Sequence, residues 1–596
     1  MHKVSDLIAD FLKYHKIETV FGIIGSANSH IFDSINSLGY TKVVNVHHEQ
    51  VAVMAMGAYF RASGKISATI VTAGAGSANA ITGIISNWAD SIPGIIISGN
   101  ESSFYIESHK KLRMYGTQGF DIASMVKKVT KYSKCLLKKE DIYSELNKCI
   151  QISLEDRKGP VLLDIPFDIQ ASSVKPKNWK KISISANNNK TDIKFIINEI
   201  NSAERPLVLG GHGIRLSNSV DLFKKFINNS NLPTTLSWSA IDILDSENKN
   251  FYGRFGLYGQ RAANLIVQNC DLLIVIGSRL ALPQTGYNYE NFVRDGKIIL
   301  VDVEEPQIAK AKIFKHLKKN CRDVLAELVN YSKLIDPINI KWKDYCNKIL
   351  RKYSWVEEIH KQNDQYINSY TFMDLLSDFL NDDHIIVTDM GTALLSGHQS
   401  IKLKENQTMF TSQGLGEMGY GISGAIGAAF ACPNKEVLCL NCDGGIMMNL
   451  QELHTIIENN LRVKIVIFNN DGYLMIKHTQ KMLFNGRHTS INKKTGIGLP
   501  NFEKVFKAFG YNYFKLDNKS EVSEVLKKFF KNKHQSLLEV YMDPFQGFLP
   551  KVMGVLKSDN SILPMPIEDM SPLLKKEEFN EAMLVKIIKE SKNARK

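Results

Sequence analysis

Val437-Leu438-Cys439-Leu440-Asn441-Cys442-Asp443-Gly444-Gly445, followed further on by Val463-Lys464-Ile465-Val466-Ile467-Phe468-Asn469-Asn470-Asp471-Gly472, is the stretch whose reading decides the fold. Each half opens as a buried strand candidate and ends in turn residues. Between them, Met447 to Asn459 has helix length and helical spacing of its apolar residues. The unit is therefore βαβ, which implies a parallel sheet with helices on its faces. An acid closes the first strand and an amide the second, at the carboxyl ends where open parallel sheets bind ligands. A carboxylate, an amide oxygen and a loop carbonyl are hard donors, suited to a magnesium ion that completes its shell with phosphate oxygens and water. Asp-Gly and Asn-Asp-Gly are also common turns, so these residues alone leave metal site and turn both open.

Working outward, the same alternation of short β-branched runs and amphipathic stretches recurs in three segments. The expected fold is α/β, with three doubly wound parallel-sheet domains at 1–171, 190–340 and 366–548 and a C-terminal arm at 549–596. The polar stretch from Ser172 to Asp192, with Asn187-Asn188-Asn189, reads as a linker. A Lys-rich, helical connection is expected around 341–366.

Composition narrows the class. Lys and Arg number 74 against 61 Asp and Glu, a net charge of +13. The excess is spread thinly, as at Lys127-Lys128 and Lys575-Lys576, and no basic motif accompanies it, so anionic small molecules are expected and nucleic acid is not. No apolar run approaches the roughly 18 residues of a membrane span, and Met1-His2-Lys3-Val4-Ser5-Asp6 does not read as a secretory signal. Eight cysteines with a lone Cys439-Leu440-Asn441-Cys442 inside an apolar run suit buried thiols and a reducing cytoplasmic compartment.

The spacing of Asp443-Gly444 and Asn470 resembles the signature of thiamine-diphosphate enzymes. In that family the matching aspartate, asparagine and a carbonyl two residues on hold magnesium against the diphosphate, here Asp443, Asn470 and Gly472. This chain has Cys442 where the family has glycine. Thr411-Ser412-Gln413-Gly414-Leu415-Gly416-Glu417-Met418-Gly419 is similar to the cofactor loop of acetohydroxyacid synthases. The resemblance implies that Met418 bends the cofactor and that the Gly416 carbonyl meets its aminopyrimidine. It also assigns Gly391, Thr392, Gly444, Gly445 and Tyr473 to the diphosphate side.

In the first segment, Glu49 of Val44-Asn45-Val46-His47-His48-Glu49 sits before a helix of small residues. A lone glutamate there could simply answer the helix dipole. Val71-Thr72-Ala73-Gly74-Ala75-Gly76-Ser77-Ala78-Asn79, Asp90-Ser91-Ile92-Pro93 and Gln118 in Tyr115-Gly116-Thr117-Gln118-Gly119 resemble the family's pyrimidine-binding domain. The resemblance makes Glu49 the activating acid, which keeps a proton on the pyrimidine ring, and puts Gln118 beside the active site. His47 and His48 are expected next to each other on a strand and so to face opposite ways, with His48 the inward candidate. Ser26 and Asn28 lie in a loop that could bind substrate or only turn the chain.

The middle segment resembles a flavin domain through Gly211-His212-Gly213, Gly259-Gln260-Arg261-Ala262-Ala263-Asn264, Gly277-Ser278-Arg279 and Val301-Asp302-Val303, with Leu280-Ala281-Leu282-Pro283 replacing the family's acidic pair. Gly211, Arg279 and Asp302 are the expected FAD contacts. The implied reaction decarboxylates a 2-oxo acid, pyruvate first, and passes two carbons to a second carbonyl, as an acetolactate synthase does. Thr479 stands where housekeeping members have tryptophan, and the tail resembles members associated with deoxy-sugar synthesis. Transfer to a keto-deoxy-sugar nucleotide and simple decarboxylation therefore remain alternatives. The implied assembly is a homodimer or homotetramer.

Overall fold

The computed structural model describes residues 2–182, 192–306, 312–362, 365–552, 554–556 and 562–595. The strands of its first sheet are β1 (Thr19–Gly22), β2 (Lys42–Asn45), β3 (Ala68–Val71), β4 (Gly94–Asn100), β5 (Tyr132–Cys135) and β6 (Pro160–Pro166). The second sheet comprises β7 (Pro206–Gly210), β8 (Thr234–Leu236), β9 (Phe251–Arg254), β10 (Leu272–Ile276), β11 (Lys297–Asp302) and β12 (Ile313–Lys318). The third has β13 (Ile385–Thr388), β14 (Thr408–Phe410), β15 (Val437–Cys442), β16 (Val463–Asn469), β17 (Asn512–Leu516) and β18 (Ser536–Tyr541). All three sheets have six parallel strands, the architecture read from the sequence. Their central strands are buried on both faces and accordingly read as continuous apolar runs, such as Leu272–Ile276.

The strand orders separate the domains. The first runs β2-β1-β3-β4-β6-β5 and the third β14-β13-β15-β16-β18-β17, the same order counted within each domain. The middle sheet runs β9-β8-β7-β10-β11-β12, the order of dinucleotide-binding sheets. The helices Glu49–Ser63 and Tyr420–Ala431 join the second and third strands of their respective domains and pack on each other. Small residues let them approach: a Cβ on Gly427 would lie 2.2 Å from the Ala55 carbonyl oxygen.

Three sequence expectations change. Met447–Asn459 is not one helix but a 3₁₀ segment, Met447–Glu452, and a short α-helix, Leu453–Glu458. The break is at Asn449, whose side chain donates to the Gly419 carbonyl and the Ser423 hydroxyl and accepts from Gln50. The expected linker is anchored at its start, where Ser173–Val174 pairs with His2–Lys3 and Trp179 packs against Phe11 and Tyr143. Asn187-Asn188-Asn189 lie outside the described residues. The tail is also less extended than its prolines suggest. Ile567, Phe579, Ala582 and Val585 enter the core of the middle domain, and Arg294–Glu568 and Arg595–Asp569 are ion pairs of 2.6 Å. Among the described residues no helix is long and apolar enough to cross a membrane.

Candidate active site

The register of β15 against β16 sets Cys442 beside Phe468, so Asp443 and Asn470 emerge side by side at the carboxyl end of the sheet. Asp443 Oδ2 accepts from the amides of Asn470 (3.0 Å) and Gly472 (2.9 Å), and Oδ1 from Gly444 (2.7 Å). Burial pushes its carboxyl up to about 6, and these amides oppose that rise. Asn470 Nδ2 donates to Thr392 Oγ1 at 3.2 Å, while Asn470 Oδ1 is buried without a partner. A carboxylate beside an unsatisfied amide oxygen fits a hard cation. The turn itself is braced from behind by Lys477, which donates to the carbonyls of Asn470, Asp471 and Pro544. Gly472 has φ +109°, and a Cβ there would lie 1.9 Å from the Ile491 carbonyl oxygen.

Across the switch between β13 and β15 lie Gly391 (φ +105°) and Thr392, which opens the helix Thr392–Ser400. The Cys442 thiol packs into this turn, 3.5 Å from the Ala393 amide. Two glycines assigned to the diphosphate are needed first by the protein itself. A Cβ on Gly444 would meet the Tyr473 ring at 2.3 Å, and one on Gly445 would meet Asp389 Oδ2 at 2.0 Å. Asp389 is fully buried, raised to about 7 by burial, and accepts from the amides of Gly419 and Gly421. It holds the end of the Thr411–Gly419 loop from within. Beyond that anchor Gly416 has φ +70°, and Met418 and Leu415 are among the exposed large apolar side chains.

The first domain brings its candidates together through glycines. Glu49 is 8% exposed and accepts from Asn79 Nδ2 at 3.0 Å. A Cβ on Gly76 would lie 3.2 Å from Glu49 Oε1, one on Gly74 2.8 Å from the Gln118 carbonyl oxygen, and one on Gly25 2.4 Å from Thr72 Oγ1. The Ser26 turn, the Thr72–Asn79 loop, the Gln118 hairpin and Glu49 thus form one cluster. Glu101, not singled out in the sequence, holds that hairpin: its carboxylate accepts from the amides of Thr117 and Gln118, both at 3.1 Å. Gln118 and Ser26 are exposed.

Two candidates take structural roles. Asn28 is buried, its Oδ1 accepting from Gly25 N and its Nδ2 donating to the Ile23 carbonyl, so its amide is committed to the turn. His48 lies beyond β2, not on it, and caps the helix Glu49–Ser63 through Nδ1 and the Gln50 amide. His47 is exposed and its amide donates to Glu452 of the third domain.

A cleft of about 1070 Å³ lies at the carboxyl ends of the middle sheet. Its lining includes His212, Gly213, Trp238, Arg279 and Asp302, with Asp90 and Arg157 from the first domain and Gln413 from the third. Both ring nitrogens of His212, Trp238 Nε1 and Gln413 Oε1 are buried without partners. Burial raises Asp302 and lowers Arg279. A dinucleotide-type sheet order, this volume and four orphaned polar atoms fit a flavin-sized nucleotide. Gly211 does not line the cleft; a Cβ there would lie 2.2 Å from the Gly277 carbonyl oxygen, so it serves the close packing of two loops. The Gly259–Asn264 motif is likewise a clasp. Gln260 donates to the Gln399 carbonyl, Arg261 pairs with Glu357, and Asn264 donates to the Ile567 carbonyl.

Sequence comparison agrees with this geometry. Models of the thiamine pyrophosphate enzyme family match residues 2–125 (N-terminal TPP binding domain), 193–328 (central domain) and 389–540 (C-terminal TPP binding domain). The acetolactate synthase isozyme 2 large subunit of Escherichia coli is 28% identical over 547 residues, covering 91% of this chain and 96% of that one. The acetolactate synthase large subunit of Haemophilus influenzae is 28% identical over 590 residues, covering 96% and 100%. With three family domains in their proper order and an acid–amide cradle in the last of them, the chain belongs to the thiamine pyrophosphate enzymes.

Proposed function

We propose that this protein decarboxylates pyruvate and joins the two-carbon unit to a second carbonyl compound, as its acetolactate synthase relatives are named for doing. The observation that carries the reading is the buried Asp443 beside the unpartnered Asn470 Oδ1, with Glu49 in a second domain of the same strand order. Thiamine diphosphate, when bound, supplies the carbon centre that stabilises charge after carbon dioxide leaves. The chain's own residues do the rest. Asp443, Asn470 and the Gly472 carbonyl would hold Mg2+, and Thr392 with the Gly391 turn would receive the diphosphate. Glu49 holds a proton at the pyrimidine ring in a water-poor site. The exposed thioether of Met418 offers an apolar support for the rings, and Gln118 stands ready to bind substrate. FAD is the nucleotide proposed for the middle cleft.

Among the described residues the Glu49 carboxylate accepts no hydrogen bond from the third domain, although His47 and Gln50 on either side are bound to it. We propose a homodimer in which Glu49 of one chain serves the cofactor held by Asp443 of the other, with a tetramer as a pair of such dimers. The domain limits proposed are 1–171, 190–340 and 366–548, and the compartment the cytoplasm. The relatives favour neither the keto-sugar nor the simple decarboxylase alternative.

The test is to incubate the protein with thiamine diphosphate, Mg2+ and pyruvate and follow carbon dioxide and products by NMR. Acetolactate is expected. Acetaldehyde alone would make the protein a decarboxylase, and no carbon dioxide would overturn the reading. Mixing inactive Glu49→Gln and Asp443→Ala chains should restore activity, because a hybrid dimer has one site with both residues intact. Exchange of subunits without recovery would refute the shared site.

A further inference from the structure

The loop that carries Gly416 and Met418 is held from outside its own domain. Asp90 of the first domain accepts from two of its backbone amides, Gln413 at 2.9 Å on Oδ2 and Gly414 at 2.7 Å on Oδ1. Arg61 donates to the same carboxylate at 2.7 Å, and both side chains are buried. Gly414 lies so close to Ala89 that a Cβ would come within 2.7–2.8 Å of its atoms. Two residues before Gly414, Ser412 shares a hydrogen bond of 3.1 Å with Ser86 of the first domain and donates to Glu417 at 2.6 Å. The segment from Ser86 to Asp90 therefore grips the loop at Ser412, Gln413 and Gly414, two residues before Gly416.

We propose that Asp90 is a positioning residue for cofactor binding: from the first domain it fixes the backbone path of the Gly414–Met418 loop of its own chain. This rests on the reading of Gly416 and Met418 as cofactor contacts. A carboxylate is required because both oxygens must accept amide hydrogens while Arg61 neutralises the buried charge. An asparagine can accept at one oxygen only, sets its NH2 against the other amide and leaves Arg61 uncompensated. Asp90, Gln413 and Gly414 also line the middle cleft, so a nucleotide there abuts the same anchor.

The experiment measures thiamine diphosphate affinity calorimetrically with Mg2+ present, and pyruvate kcat and KM at saturating cofactor, for wild type, Asp90→Asn and Gly414→Ala. Losing one charge-assisted bond should weaken cofactor binding by about tenfold. Gly414→Ala leaves the Arg61–Asp90 pair in place but pushes the loop off Ala89, and should weaken it in the same direction. At saturating cofactor kcat should fall while the pyruvate KM holds, since the loop shapes the cofactor and not the substrate pocket. If Asp90→Asn does not fold, Gly414→Ala decides alone. Wild-type affinity in either folded variant overturns the proposal. No uptake by the wild type would instead bring down the reading of the loop, and the proposal with it.

Discussion

The first and third domains are the same sheet put to different use. In each, the last residue of the fourth strand is an asparagine that donates to an acid on the sixth: Asn100 to Asp164 and Asn469 to Glu539, both at 2.6 Å. The registers agree, with Ser98 opposite Asp164 and Ile467 opposite Glu539. The residue that follows differs. After Asn469 comes Asn470, an amide whose oxygen is left unsatisfied beside Asp443. After Asn100 comes Glu101, whose carboxylate is spent on the amides of the Gln118 hairpin. One framework thus ends in an acid beside an unpartnered amide oxygen in one domain and in a braced hairpin in the other. The helices after the second strand, Glu49–Ser63 and Tyr420–Ala431, pack the two frameworks together.

If the domains divide the work in this way, breaking each should have a separate signature. Glu49→Gln keeps the shape of the first domain but removes the acid–base function proposed for it. Turnover should fall by about 10²–10⁴-fold while calorimetric affinity for thiamine diphosphate stays within a few-fold. A variant keeping most of its activity would remove Glu49 from the chemistry. Asp443→Ala should do the converse. A hard cation loses the cradle's one full negative charge, so Mg2+-dependent cofactor binding should drop by about 100-fold or more, the order expected when a charged buried partner is deleted. Titration with and without a chelator separates the two: in the variant, the chelator should make little further difference.

How far the sequence carried this division depends on whether a residue's partner was local. Asp443, Asn470 and Gly472 lie on one βαβ unit, and strand register brings them together without reference to anything else. Glu49 needed the small-residue loops around it, and those too lie within one domain. Asn28 and His48 are spent on local bonds, to Gly25, Ile23 and Gln50, but the other unexpected contacts have partners far along the chain. Gly211 and the Gly259–Asn264 motif look like ligand loops, but their tight contacts are to Gly277, Gln399, Glu357 and Ile567. Asn449 breaks an otherwise helical pattern because Gln50, 399 positions away, and Gly419 share its amide. The roles of Asp90 and Glu101 were invisible for the same reason, since what they hold is backbone, which carries no side-chain signature.

The contact between the two frameworks can be tested with one methyl group. Gly427→Ala should raise helix propensity by about 1 kcal/mol. Against that, the new Cβ would lie 2.2 Å from a backbone oxygen of the facing helix, and overpacking of this kind costs about 1–3 kcal/mol. Because the obstacle is backbone and cannot rotate away, the clash should win and the melting temperature should fall. An unchanged or higher melting temperature would mean that the two helices are held less tightly than described.

The smallest effect sharpens the comparison at its root, the asparagine–acid pair. Glu539 has a donor for each oxygen, Asn469 and the Tyr513 hydroxyl. Asp164 is buried and its pKa is raised to about 7, chiefly by desolvation, against the bond from Asn100, while its other oxygen has no partner among the described residues. A carboxyl raised in the folded state from an ordinary 3.8 to about 7 makes the folded chain bind more protons than the unfolded chain between those values. By linkage, stability from this group is full below the unfolded pKa and is lost as pH rises through the folded one. Asp164→Asn keeps an oxygen for Asn100 and cannot ionise, so it removes that loss. The melting temperature of the variant relative to wild type should therefore be higher at pH 8 than at pH 5, by roughly 2–4 °C for a difference of about 1 kcal/mol. Glu539→Gln, measured in parallel, reports what removing the acid does where both oxygens already have donors. An Asp164→Asn difference that is flat across this range, or that runs the other way, would show that the first domain holds its acid ionised.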